Sequence, residues 1–229
     1  MAEKEKNVHE GHRKRLKERF LSEGLDGFNE INVVEFLLFY ALPRGDTNVL
    51  AHQLLDRFGS LSNLFEAPFE EIAAVKGVGE HSAILIKMIP DLFRRYMADK
   101  EKDIKVINSS DDAVRYIKPY YIAAGNEIVY LLNLDMTGRV ISHVKIFEGS
   151  VTNASVSVRK VTEAALISKA VKVVLFHNHP GGFALPSGDD IRMTKDLVKS
   201  LSILNIALMD HIVFADSDYV SMSDSGFLD

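Results

Sequence analysis

Apolar positions along the chain fall into two regimes. Up to about residue 100 they recur at helical spacing, in short runs broken by Gly, Asp and Pro. The runs are VVEFLLFYAL (33–42), NVLAHQLLDRF (48–58), LSNLFEA, FEEIAAV and HSAILIKMIPDLFRRYMA. Short helices with little β signal predict an all-α module over residues 1–100. A charged segment, ADKEKDIKVINSS (98–110), predicts a linker running into a first strand at 104–107.

Beyond it the period alternates between two and three to four. EIVYLLNLD (127–135) and RVISHVKIF (139–147) flank Asp135-Met136-Thr137-Gly138, which predicts a β-hairpin. VRKVTEAALISKA (158–170) has helical spacing, and VKVVLF (171–176) is a continuous β-branched run of the kind found in buried strands. SGDDIRMTKDLVKSLSIL (187–204) predicts a helix, DHIVFAD (210–216) a strand and DYVSMS (218–223) a short closing strand. Residues 101–229 therefore predict a mixed sheet flanked by helices. The fold class expected for the whole chain is α+β, mixed α/β behind an all-α module.

Composition narrows the chemistry. The 229 residues are 47% hydrophobic and 26% charged with net charge −5, so strong non-specific attraction of the whole molecule to nucleic acid is not expected. There is no cysteine, which excludes disulfides and thiolate metal sites. Any transition metal must sit on His, Asp or Glu. The polar N-terminus MAEKEKNVHEGHRKRLKERF lacks the apolar core of a secretory signal, and no apolar run approaches the ~18 residues of a membrane span. A cytoplasmic location without membrane partners is the expectation.

One stretch carries candidate chemistry: HNHPGGFALPSGDD, residues 177–190. In extended chain His177 and His179 share a face, so two imidazoles can approach one cation. Ser187 followed three residues later by Asp190 fits a capping box, and Pro186 and Asp189 suit a helix start. Taken alone, PSGDD reads as a helix N-terminus. Joined to the histidines it also supplies a carboxylate, completing the two-imidazole, one-carboxylate set that leaves a fourth zinc position open for water. Ser187, one turn before Asp190, has a hydroxyl to offer a tetrahedral oxyanion as well. A general base is missing from this stretch.

His177-x-His179, seven residues, Ser187, two residues, Asp190 is similar without a gap to the H-x-H-x(7)-S-x(2)-D motif of JAMM (MPN+) metalloproteases. The surrounding VVLFHNHPGG…PSGDDIRMTKDL and the later LNIALMDHIVFADSDYVSMSDSGFL resemble the bacterial RadC family, and the resemblance spans essentially the whole chain. It implies a metallopeptidase with one zinc per chain on His177, His179 and Asp190, acting on a peptide or isopeptide-type amide. It also implies an upstream glutamate as general acid and base through the zinc-held water. Matching that pattern gives Glu127, with Glu148 of IFEGS as the runner-up. The chain departs from the family at residues 149–160, which includes Asn153 and Ser155, and at Gly181. These departures bear on the substrate groove and touch no ligand. Asp210-His211 also recurs in the family, and a supporting role fits it better than a fourth ligand, which would close the open position.

In the first module EIAAVKGVGEHSAILI (71–86) resembles a helix-hairpin-helix with Lys76, Gly77 and Gly79 in the hairpin. Backbone N–H groups there can face a phosphate oxygen. The other reading is a junction that only packs. The basic run RKRLKER (13–19) reads as a solvated helix face. Two functions therefore compete: a zinc-dependent hydrolase of a protein or peptide, and a DNA-binding repair or recombination factor whose second domain is a scaffold or accessory nuclease.

Overall fold

The computed structural model describes residues 3–149, 157–215 and 218–228, with the backbone alone over residues 3–10. The chain divides into two compact units, Met1–Phe93 and Arg94–Asp229.

The first unit is helical: α1 (Glu3–Glu23), α2 (Glu30–Ala41), α3 (Thr47–Phe58), α4 (Leu61–Glu66), α5 (Phe69–Ala73) and the start of α6 (Gly79–Lys100). Helices α2, α3 and α4 each start on a side chain that takes an orphan amide. Asn29 accepts from Asn32 N, Asp46 from Asn48 N and Val49 N, and Ser60 from Asn63 N. Val34, Leu38, Leu54, Leu64, Ile72 and Ile86 meet in one core with no exposure. Lys87 extends its ammonium to the Phe65 and Ala67 carbonyls, 2.9 Å each, satisfying the end of α4.

The second unit is built on one sheet of order β2-β1-β3-β4-β5, with β1 (Glu127–Leu134), β2 (Val140–Gly149), β3 (Lys172–Asn178), β4 (Ala207–Ala215) and β5 (Asp218–Ser221). β3 and β4 run parallel, while the other neighbours are antiparallel. Helices α8 (Val158–Ile167) and α9 (Gly188–Ser202) cover one face through Val129, Leu131, Val173, Leu175, Leu197 and Leu201. Helix α7 (Ser110–Ile117) covers the other through Val114, Ile117, Leu132, Phe176, Ile212 and Phe214. The expected mixed sheet with flanking helices is what forms. Among the described residues no helix is long and apolar enough to cross a membrane.

Three local expectations change. The strand predicted at 104–107 reduces to a single bridge, Val106 to Arg139, because Ser109 caps α7 by accepting from Asp112 N and turns the chain away. Helix α7 itself was not anticipated. Helix α6 continues to Lys100, so its last turn stands where the linker was expected to begin. At the predicted hairpin, Asp135 Oδ1 accepts from Thr137 N at 2.8 Å and Arg139 N at 2.9 Å, closing the turn.

Candidate metal centre

The site forms where β3 leaves the sheet. His177 is the penultimate residue of β3, and the ladder runs one step further through His179 N, which donates to Phe214 O of β4 at 2.7 Å. Residues 177 and 179 therefore keep the alternation of a strand and turn their rings to one side. The chain then reverses, with Gly182 N donating to His179 O and Gly181 at φ +66 where a Cβ would be strained. That reversal brings the N-terminus of α9 back beneath the histidines.

The predicted capping box is present. Ser187 Oγ accepts from Asp190 N at 3.1 Å, and Asp190 Oδ2 accepts from Ser187 N at 2.7 Å. The Ser187 hydroxyl also donates to Asp190 Oδ2, at 2.6 Å. The cap thus fixes the carboxylate and points Oδ1 at His177.

Three donor atoms converge. His177 Nε2 and His179 Nε2 lie 2.8 Å apart, Asp190 Oδ1 is 3.4 Å from the first and Oδ2 is 3.6 Å from the second. These separations resemble the edge of about 3.4 Å expected between donors around a tetrahedral ion with bonds of 2.0–2.1 Å. His179 Nδ1 is 3.1 Å from Phe183 O. A carbonyl only accepts, so Nδ1 carries the proton and the neutral ring turns a lone pair on Nε2 toward the shared point. Two nitrogen donors and a carboxylate converge on one point that a cation can fill, and the donor set fits a zinc ion. His177, His179 and Asp190 form the group able to hold a metal among the described residues.

Electrostatics agree. Burial would raise the Asp190 carboxyl, but the His177 and His179 rings, when they carry protons toward it, and the Ser187 hydroxyl outweigh burial and hold the group well below the usual carboxylate range. His179 is raised, chiefly by its contact with Asp190.

Glu127, expected as the base, opens β1 beside this group. Val129 pairs with His177, so Glu127, two residues earlier, shares that face of the sheet. Its pKa is raised mainly by burial, while His177 and His179 pull it down and Asp190 pushes it up. Glu148 pairs with Ile128 on the opposite face and is exposed beside Lys145.

Asn178 and Thr194, to which the sequence assigns no role, and His211, expected in a supporting one, complete the surroundings. Asn178, between the histidines, accepts from Ile128 N at 2.6 Å and donates to Asn126 O at 3.0 Å, gripping the peptide groups on either side of Glu127. Thr194 and His211 are wholly buried beneath the site, with His211 Nε2 2.8 Å from His177 Nδ1. Thr194 had a readable signal, because it stands on the same buried stripe of α9 as Leu197 and Leu201, where a hydroxyl is out of place. Asn178 had none, since its partners depend on strand register.

Asn153 and Ser155 lie outside the described residues. In the first unit Lys76 is exposed, Gly77 has φ +91 and Gly79, at φ +67, opens α6. A Cβ on Gly77 would meet Leu50 Cδ2 at 2.9 Å as well as the positive φ, so local conformation and packing give that glycine a structural reason.

The chain is similar to known proteins along its length. Residues 107–227 match the family model described as RadC-like JAB domain. The UPF0758 protein FN0909 of Fusobacterium nucleatum is 30% identical over 235 residues, covering all of both chains. The UPF0758 protein RALTA_A2508 of Cupriavidus taiwanensis is 30% identical over 211 residues, 92% of each chain.

Proposed function

The chain belongs to the RadC family, and on that premise we propose that it is a zinc-dependent hydrolase of JAMM type, cleaving a peptide or isopeptide-type amide in a protein or peptide substrate. The observation that carries this reading is the convergence of His177 Nε2, His179 Nε2 and Asp190 within 3.6 Å of their neighbours. Glu127 on the same sheet face adds a base to the ligand set.

His177, His179 and Asp190 would hold one zinc ion. When bound it supplies Lewis acidity, lowering the pKa of an attached water to about 7 and polarising a carbonyl. Glu127 moves the protons: as water adds its oxygen to the amide carbon, Glu127 takes the proton released and passes it to the nitrogen as the C–N bond breaks. Its half-buried position raises its proton affinity toward the working range of such a shuttle. Ser187 holds Asp190 and, by turning its hydroxyl from Oδ2, has a proton for the developing oxyanion. Phe183 and Leu185, 87% and 62% exposed on the loop between the ligands, offer apolar contact to a substrate chain.

Elemental analysis tests the reading directly: about one zinc per chain in purified protein, lost in His177→Ala. A wild-type protein that takes up no metal would sink it. Affinity capture with Glu127→Gln, followed by mass spectrometry, names the substrate.

The second reading, DNA association through the hairpin, is favoured by exposed Lys76 and the open first turn of α6 at Gly79. Phosphate contacts there give binding that falls steeply with salt, and no binding at low salt removes the reading.

A further inference from the structure

His211 in β4 and Thr194 in α9 are fully buried, and the chemistry above does not use them. Building on the proposed metal site, we propose that Thr194, acting through His211, is a positioning residue. It fixes the tautomer of His177 so that the Nε2 lone pair faces the metal position.

The order of donors follows from the contacts. Thr194 Oγ1 stands 2.6 Å from the main-chain oxygen of Asp190 and 2.6 Å from His211 Nδ1, and it has one proton. If that proton went to His211, two oxygens would face each other at 2.6 Å with only lone pairs between them, a separation that belongs to an O–H···O bond. The proton therefore goes to Asp190 O, and His211 Nδ1–H donates to Thr194.

The two ring nitrogens of His211 meet a hydroxyl and an imidazole. A cationic ring in that buried setting would be uncompensated, so the ring is neutral and Nε2 is an acceptor. His177 Nδ1, 2.8 Å away, has to supply the proton. The atom left is His177 Nε2, which presents a lone pair to His179 and Asp190.

The relay is closed on itself. Asp190 faces the site with its carboxylate and, through its main-chain oxygen, sets the proton order that ends on the opposite ligand. Reversing every bond would put N–H on His177 Nε2, aimed at His179 Nε2 at 2.8 Å. The two histidines would then satisfy each other and block a cation. Thr194 selects the arrangement that accepts one. Outer partners of this kind commonly change metal affinity about 10–100-fold.

The test is long-range 1H–15N correlation of the histidine rings in metal-free protein, well above the usual imidazole pKa, together with zinc competition against a chelator. Wild type is expected to show the proton of His177 on Nδ1, and likewise for His211. Thr194→Val, which keeps the shape without the hydroxyl, is expected to move the His177 proton to Nε2 and weaken zinc binding about 10–100-fold. Thr194→Ser is expected to restore both. A His177 proton on Nε2 in the wild type overturns the proposal, and that spectrum decides even if Thr194→Val fails to fold. Unchanged tautomer and affinity in folded Thr194→Val overturn it as well. A wild type that shows the Nδ1 proton yet takes up no zinc supports the relay and sinks the hydrolase.

Discussion

Val129 of β1 lies directly opposite His177 of β3. That register turns Glu127 toward the histidines and leaves Glu148, opposite Ile128, on the other face. Glu127→Gln is expected to lower peptide cleavage on the order of 10²–10⁴-fold, the usual contribution of a general acid–base group, whereas Glu148→Gln keeps wild-type rates. Equal losses in steady-state assays of the two variants would refute the assignment.

The same carboxylate has a stability signature. Burial raises Glu127 above its ordinary 4.5, so the folded chain holds that proton more tightly than the unfolded chain does. Above the raised pKa the ionised group works against folding, and the penalty fades as pH falls through it. Metal-free Glu127→Gln should therefore melt higher than metal-free wild type at neutral pH. The gap should close in acid, as calorimetry across pH would read.

Asn178 grips the peptide groups flanking Glu127 from between two ligands. Asn178→Ala should cost about 1–3 kcal/mol of stability through the unpaired buried amide. With the base left loose, kcat should fall on the order of 10²-fold while zinc content stays at wild type. Loss of zinc in parallel with activity would place Asn178 among the residues that hold the ligands.

Gly77 and Gly79 make a controlled pair in the hairpin. Both have positive φ, but a Cβ on Gly77 meets Leu50 Cδ2 at 2.9 Å and one on Gly79 meets nothing within 4 Å. Gly79→Ala should cost about 1–2 kcal/mol from backbone strain, and Gly77→Ala clearly more, in chemical denaturation. Equal costs would show that Leu50 yields freely.

Much of this was legible in the chain. The β-branched run of β3, the helical spacing of α9 and the Ser187–Asp190 cap depend on neighbours in sequence, and they place the ligands without tertiary information. Helix α7 is marked by the Ser109 cap and its acidic first turn, but at eight residues it is too short to stand alone, and its stability comes from Val114 and Ile117 packing on Phe176 and Ile212. Residues 104–107 look like a strand by composition, yet they form only an isolated bridge, Val106 to Arg139, flanked by the bonds of Lys105 O and Ile107 N. Register decides the rest: which glutamate faces the site, and what His211 and Asn178 touch, follow from pairings between residues dozens of positions apart.

The three ligands come from one strand, one turn and the first turn of one helix, and none belongs to the apolar clusters on either side of the sheet. A metal ion there would stitch a short span of chain, which closes at small entropic cost, and would leave the load of the fold on the sheet and its helices. Under the proposed chemistry, zinc is then a removable part. A chelator would silence the protein with its architecture standing, and returning the ion would re-arm it within a binding event, with no refolding required.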